Sequence, residues 1–141
     1  MKEYVKIITP KNNLEIELQK YVSEKYSFCP KIISCIYYDN YIEVTMEKIN
    51  GLTLFEKYSD QAIDIPEIIW TQIRNIVSKL FYEDGIEYID ISPYNFIIKE
   101  EKVYIIDFGH AYWCNKDCKI KNWFLKKFLL ENVNEFNSDF Y

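Results

Sequence analysis

Glycine is scarce in this sequence, whose 141 residues include only 3 glycines, Gly51, Gly85 and Gly109. Phosphate-binding loops of the GxGxxG and GxxxxGK types need at least two glycines within a few residues of each other. The three glycines here lie far apart along the chain. The sequence therefore excludes both kinds of loop, together with the folds that are built on them.

Long hydrophobic runs are also missing. No stretch of the chain reaches the roughly 20 apolar residues that a helix needs to span a bilayer. Residues 1–8 (MKEYVKII) lack the apolar core and the small-residue cleavage site of a signal peptide. We therefore expect no membrane partner and a cytoplasmic location.

Cysteine pairs with the usual metal-binding spacing are missing as well. The 4 cysteines include no CxxC pair, and in a reducing compartment we expect free thiols. One alternative is a zinc site, because His110, Cys114 and Cys118 recur every four residues and would share one helix face. A structural zinc site needs a fourth ligand, so ordinary core or surface thiols are the simpler interpretation.

Basic residues are outnumbered: 17 Lys and Arg stand against 22 Asp and Glu, which gives a formal net charge of −5. A protein that coats nucleic acid needs a basic face, so we expect no nucleic-acid partner. Near the C-terminus there is a basic cluster that could contact RNA or an acidic partner, although such runs are usually solvated helix faces. Its members are Lys116, Lys119, Lys121, Lys126 and Lys127.

Apolar residues are plentiful, since 49% of the chain is hydrophobic and 18% is aromatic, which is enough for one buried core. Hydrophobic periodicity and turn residues predict an α+β order of elements. The predicted strands cover residues 4–8, 31–38, 41–47, 96–99 and 103–106, with a turn at Asp39-Asn40. The predicted helices cover residues 14–24, 53–58, 64–84 and 119–135. In the first, Leu14, Leu18, Tyr21 and Val22 lie at helical spacing. The third begins with Asp64 as its N-cap and carries an apolar stripe of Ile69, Ile73, Ile76, Val77, Leu80 and Phe81.

Three polar residues lie on the loops around the last predicted hairpin. Asp90 and Asn95 precede its first strand, and Asp107 follows its second strand, so the hairpin would bring Asp107 close to Asn95. Amide and carboxylate oxygens are suitable ligands for Mg²⁺, and an aspartate can accept the proton of an attacking hydroxyl. The pattern favours phosphoryl transfer, with Asp90 as base and Asn95 and Asp107 as metal ligands. In the alternative interpretation these residues only cap turns or face solvent.

In order and spacing, these residues resemble the catalytic loop (HxDxxxxN) and the Asp-Phe-Gly motif of the protein-kinase-like superfamily. The segment Asp90-Ile-Ser-Pro-Tyr-Asn95 is closest to the loop of the RIO-like atypical kinases, and Asp107-Phe-Gly109 follows it. As in those kinases, the chain passes almost directly from Gly109 to its last helix, without an Ala-Pro-Glu motif.

An upstream segment, Val44-Thr-Met-Glu-Lys-Ile-Asn-Gly51, resembles the hinge of a kinase. This resemblance implies that Met46, Glu47 and Ile49 line the adenine site and that the hinge backbone bonds to the base. An ordinary strand and turn is the alternative.

Lys6 lies where the kinase resemblance places the lysine that contacts the α- and β-phosphates. The resemblance also implies an ion pair between this lysine and a glutamate of the first helix. We assign that glutamate to Glu15, and Glu17 is its rival. An exposed strand lysine is the alternative interpretation of Lys6.

The sequence departs from the kinase pattern in four ways. Few residues precede the strand of Lys6, so we expect the strands that carry the glycine-rich lid to be missing. Tyr88 replaces the histidine before Asp90, and Ser92 replaces the usual lysine or arginine, as in RIO-like members. The helical lobe is reduced to one helix after Gly109. The lone histidine, His110, could contact phosphate or substrate, although a role in loop packing is the simpler interpretation.

The sequence thus predicts a minimal protein-kinase-like fold with a reduced β-sheet N-lobe over residues 1–49 and a small helical C-lobe over residues 50–141. The resemblance implies an ATP- and Mg²⁺-dependent phosphotransferase that acts on a serine or threonine hydroxyl of a protein. One alternative is a pseudokinase or regulatory module without turnover, and another is a small-molecule kinase of the aminoglycoside or choline type. A partner chain that completes the N-lobe is a further possibility.

Overall fold

The structure, a computed structural model, describes residues 2–114 and 119–141. The strands that it describes are Glu3–Ile8 (β1), Ile32–Tyr37 (β2), Ile42–Glu47 (β3), Leu52–Thr53 (β4), Ile86–Glu87 (β5), Phe96–Lys99 (β6), Lys102–Ile105 (β7) and Tyr112–Trp113 (β8). The helices are Asn13–Lys25 (α1), Leu54–Tyr58 (α2), Glu67–Tyr82 (α3) and Trp123–Glu131 (α4). The predicted α+β class is confirmed. In the described ranges, no helix is both long and apolar enough to cross a membrane.

The first sheet is antiparallel, with the order β1-β3-β2. Its central strand alternates strictly, because Ile42, Val44 and Met46 are buried and the residues between them are not. Ile8 of β1 and Ile16 of α1 cover the buried face and form a small core with these side chains. The alternation therefore fixes which face of the sheet meets the helix, and with it the direction in which Lys6 and Ile8 project.

Helix α1 buries part of the predicted apolar stripe. Leu18 and Val22 are fully buried as predicted, whereas Leu14 and Tyr21 are exposed. Ile16 takes the remaining apolar position, because α1 packs against the first sheet as well as the larger core. A helix between two surfaces buries a wider arc than a single stripe.

Helix α3 forms the centre of the larger core. All six predicted stripe positions are buried: Ile69, Ile73, Ile76, Val77, Leu80 and Phe81. The predicted capping role of Asp64 is wrong, since this residue ends a short 3₁₀ turn and the helix begins at Glu67 after Pro66. The fixed backbone angle of proline suits the start of a helix, and its missing N–H costs nothing there.

Helix α4 is shorter than the predicted range of 119–135. Its first turn is capped by Asn122, whose side chain accepts hydrogen bonds from the Phe124 and Leu125 N–H groups at 3.0 Å. Asn132 ends the helix in the left-handed conformation, with φ of 53°, which asparagine tolerates better than most residues. Apolar periodicity continued past both asparagines, so it overestimated the length of the helix.

The basic cluster of the last region is largely solvated. Lys121 and Lys126 are exposed, and Lys127 forms an ion pair with Glu135 at 3.2 Å. Lys116, like Cys118 of the histidine-cysteine series, lies outside the described residues.

Gly51 sits against the hairpin that carries the candidate catalytic residues. A Cβ atom at this position would lie 2.3 Å from the backbone oxygen of Ile98 in β6. We expect Gly51→Ala to separate β4 from β6 and to lower the free energy of unfolding by about 1–3 kcal/mol, measured by urea denaturation. The control is Ile63→Ala, because Ile63 is 90% exposed and its truncation should cost less than about 0.5 kcal/mol. Equal stability of the two variants would refute this prediction.

Candidate functional site

A cleft of about 520 Å³ opens between the first sheet and the β6–β7 hairpin. Its volume lies within the range of small-molecule sites in proteins. Six of the eight residues that the sequence assigns to the site line this cleft: Lys6, Met46, Glu47, Ile49, Asn95 and Asp107. The other two do not line the cleft, but each contacts a residue that does. Glu15 contacts Lys6, and Asp90 contacts Asn95.

A cluster of three charges lies on the inner wall of the cleft. The Lys6 ammonium forms a direct ion pair with Glu15, and it lies 3.5 Å from Oδ2 of Asp107. Burial acts to lower the pKa of Lys6, but the hydrogen bond to Glu15 and the charge of Asp107 outweigh it and raise that pKa. The lysine therefore stays cationic. Glu17, the rival of Glu15, is exposed.

The connection after β3 forms the outer wall of the cleft. The Glu47 N–H donates to Lys31 O at 2.9 Å, and the Lys48 N–H donates to Lys2 O at 3.0 Å. These two bonds tie the start of the connection to the residues that precede β2 and β1. The Ile49 N–H, in contrast, donates to no group in the described part of the chain, and Ile49 lines the cleft.

The candidate catalytic loop is shaped by successive tight turns. The Ile91 N–H donates to Ile89 O at 2.9 Å, and the Ser92 N–H donates to Asp90 O at 3.0 Å. Asn95 then reaches back, because its side-chain Nδ2 donates to the same Asp90 oxygen at 3.1 Å. The donation by Nδ2 fixes the amide and leaves its Oδ1 atom available as an acceptor.

The β6–β7 hairpin returns Asp107 to the side of Asn95. The two strands pair Phe96 with Ile105, and the Ile106 N–H donates to Asn95 O at 3.1 Å beyond the last pair. Asp107 follows directly, and its Oδ1 atom accepts a hydrogen bond from the Gly109 N–H at 2.7 Å. The predicted approach of the two residues is thus present in the fold.

Tyr88 stands at the position where the kinase pattern has histidine. It is buried, and its hydroxyl donates to the backbone oxygen of Asp107. Burial and the nearby charges of Asp107 and Asp90 raise the pKa of Tyr88 well above its ordinary value, so the hydroxyl stays a donor. Its ring packs against Phe108 with 5.6 Å between centroids. Tyr88 therefore links the candidate catalytic loop to the Asp-Phe-Gly turn.

His110 makes a contact that sequence reasoning missed. Its Nδ1 atom lies 3.0 Å from Oδ2 of Asp90, and its ring packs on Phe140 with 4.7 Å between centroids. The other carboxylate oxygen of Asp90 is buried and has no hydrogen-bond partner among the described residues. Neither contact has a signal in the sequence, because residues 20 and 30 positions apart along the chain meet only through the fold.

Several further residues line the cleft without having been predicted, among them Tyr4, Thr53, Glu56 and Tyr94. One of them had a usable signal: Tyr4 precedes Lys6 by two positions on β1, so both project from the same face of the strand. The others lie on loops and short elements whose placement depends on tertiary packing.

The chain is similar to a known protein family along most of its length. The sequence model of the RIO domain family matches residues 3–138, a range that contains every residue assigned to the site. A search of curated proteins gives no significant match to the chain.

Proposed function

Because the chain belongs to the RIO domain family, an atypical family of the protein-kinase type, we propose that it transfers the γ-phosphate of Mg-ATP to a protein hydroxyl. The observation that carries the proposal is the charge cluster of Lys6, Glu15 and Asp107 on the wall of the cleft. A cation between two carboxylates is held in place and is ready to exchange one of them for phosphate oxygens.

The nucleotide would lie with its base toward the connection after β3. The free N–H of Ile49 is the donor for the adenine ring, and the Met46 side chain supplies an apolar wall of the cleft. Lys6 would then contact the α- and β-phosphates.

The donor set in the cleft fits Mg²⁺. Asn95 offers an amide oxygen and Asp107 a carboxylate, and Mg²⁺ is commonly held by one or two such ligands together with substrate phosphates. Among residues 2–114 and 119–141, no three His, Cys, Asp or Glu side chains converge into a site that would hold a metal ion alone. The ion, when bound, would neutralise charge that develops on the phosphates.

Asp90 is the proposed catalytic base. Its carboxylate accepts the proton of the acceptor hydroxyl while the hydroxyl oxygen bonds to the γ-phosphorus and the bond from that phosphorus to the β-γ bridging oxygen breaks, which releases ADP. The side chain is 15% exposed, so the carboxylate is reachable yet shielded. We propose a serine or threonine as the acceptor, by analogy with the family.

A binding module without turnover is the second candidate. Two observations favour it: the described chain carries no glycine-rich lid over the cleft, and His110 occupies one oxygen of Asp90. In that case the cleft would bind nucleotide without transferring its phosphate. The protein would act through the conformation that bound nucleotide stabilises.

Calorimetric titration with ATP, in the presence and absence of Mg²⁺, tests the proposed site. We expect binding that needs the metal, because Asp107 and the phosphates repel each other without it. ATP binding that is equally tight in EDTA would contradict the proposed metal ligands, and failure of ATP to bind at all would contradict the proposed function.

The pair Glu15 and Glu17 supplies a matched test of the lysine assignment. Glu15→Gln removes the charge that holds Lys6, so we expect kcat/KM for ATP to fall about tenfold or more, a loss of roughly 1.4 kcal/mol of transition-state stabilisation per tenfold. Glu17→Gln changes an exposed side chain of the same helix and should leave kcat/KM unchanged. Equal losses in steady-state kinetics of the two variants would show that the ion pair has no role in the reaction.

A further inference from the structure

The segment after α4, residues 132–141, folds back onto the catalytic loop. Arg74 of α3 anchors its beginning, since Nη2 donates to Val133 O and to Asn134 Oδ1, both at 2.9 Å. Farther along, Trp123 Nε1 donates to Asp139 Oδ2 at 2.7 Å. The segment is thus tied at both ends to helices of the larger core.

Between these anchors, Asn137 is completely buried and bonds to the backbone on both sides of Asp90. Its side-chain Nδ2 donates to Ile89 O at 2.8 Å, and its backbone N–H donates to Ile91 O at 2.8 Å. The two acceptors are the residues immediately before and after the proposed base. Asn137 therefore bridges the peptide units on either side of Asp90 and restrains both of them.

The remaining polar groups of Asn137 are also satisfied. Its Oδ1 accepts from the Asp139 N–H at 3.0 Å, and its backbone oxygen accepts from the Phe140 N–H at 3.0 Å. A buried amide whose nitrogen and oxygen atoms are both bonded has one preferred orientation. The donor atom Nδ2 is consequently fixed toward the catalytic loop and cannot rotate to serve another partner.

The same segment reaches the carboxylate of Asp90 by a second route. Phe140 packs against the ring of His110, and that ring contacts Asp90 Oδ2. Residues 137–140 thus touch both the backbone around the proposed base and the side chain that lies on it.

We infer that Asn137 is a positioning residue for the reaction, which fixes the Asp90 carboxylate by clamping the peptide units on either side of it. This inference rests on the proposed function. A displacement of about 1 Å in a catalytic group can lower a rate by about 10²-fold. Loss of the clamp should therefore lower turnover. Nucleotide binding should persist, because neither Asp90 nor Asn137 lines the cleft.

The first test compares Asn137→Ala with Asn134→Ala in steady-state phosphoryl-transfer kinetics. Asn134 belongs to the same segment and bonds to Arg74 and Glu67, but it does not touch the catalytic loop. We expect Asn137→Ala to lower kcat about 10²-fold with KM for ATP within about twofold of wild type, and Asn134→Ala to change kcat less than threefold. Equal changes in kcat, or a parallel loss of ATP affinity in Asn137→Ala, would overturn the inference.

Amide hydrogen exchange of the wild-type protein, followed by NMR, needs neither a folded variant nor turnover. The Asn137 N–H should be strongly protected and should exchange together with the Ile91 and Ser92 amides, as one cooperative unit. An unprotected Asn137 amide would overturn the clamp even if Asn137→Ala fails to fold. If the wild type transfers no phosphate, the proposed function fails, and the exchange result then decides whether the clamp exists.

Discussion

Replacement of Asp90 by asparagine should lower kcat for phosphoryl transfer by about 10²–10⁴-fold, the usual contribution of a general base. Asparagine has nearly the same shape, so the loop, including the bond from Asn95 to Asp90 O, should persist. The KM for ATP should change little, because Asp90 does not line the cleft that we propose for the nucleotide. The measurement is initial-rate kinetics at saturating Mg-ATP.

Asp39→Asn is the control for Asp90→Asn. Asp39 is an exposed residue of the turn between β2 and β3, and it should keep full activity after the same change in chemistry. Turnover that survives Asp90→Asn unchanged would remove this residue from the mechanism.

Replacement of Asp107 by asparagine should lower kcat/KM for Mg-ATP by about 10²–10³-fold. The change removes the charge of a proposed metal ligand, which is also one of the two carboxylates beside Lys6. The amide oxygen can still accept the hydrogen bond from the Gly109 N–H, so the turn after β7 should keep its shape. The loss should be visible in calorimetric binding of Mg-ATP as well as in turnover, which distinguishes Asp107 from Asp90.

A variant that binds Mg-ATP as the wild type does would contradict the metal assignment of Asp107. Thermal unfolding of Asp107→Asn checks the fold, and its midpoint should stay close to that of the wild type, since the Asp107 side chain is 39% exposed.

Those elements whose residues repeat at a regular period were predictable. The strand β3 and the apolar stripe of α3 depend only on local spacing. The structure has β3 within the predicted range and buries every predicted stripe position of α3. The helix ends were less predictable, because an asparagine cap stops α4 although apolar residues continue beyond it. The two-residue strands β5 and β8 carry no periodic signal, since their pairing is decided by the packing around them.

The candidate site was likewise predictable only where a local pattern specified its residues. Asp90, Asn95 and Asp107 could be selected because a motif fixes their order and spacing, and a hairpin is a local device that brings two of them together. The contacts of His110 and Asn137 join segments more than 15 residues apart, and no pattern in one sequence specifies such pairs. The choice of Glu15 over Glu17 as the partner of Lys6 likewise needed the rotation of α1 against the sheet.

Transfer of labelled γ-phosphate tests the central claim most directly. The wild-type protein and Asp90→Asn are incubated with γ-labelled ATP, Mg²⁺ and a generic serine- and threonine-containing protein substrate, and the labelled products and the bound nucleotide are both measured. The account predicts that the wild type moves label from ATP to a hydroxyl, itself included as acceptor, and that Asp90→Asn binds ATP yet transfers at least about 10²-fold less. Wild-type protein that binds Mg-ATP and leaves it intact would contradict the account and identify the cleft as a nucleotide-binding module.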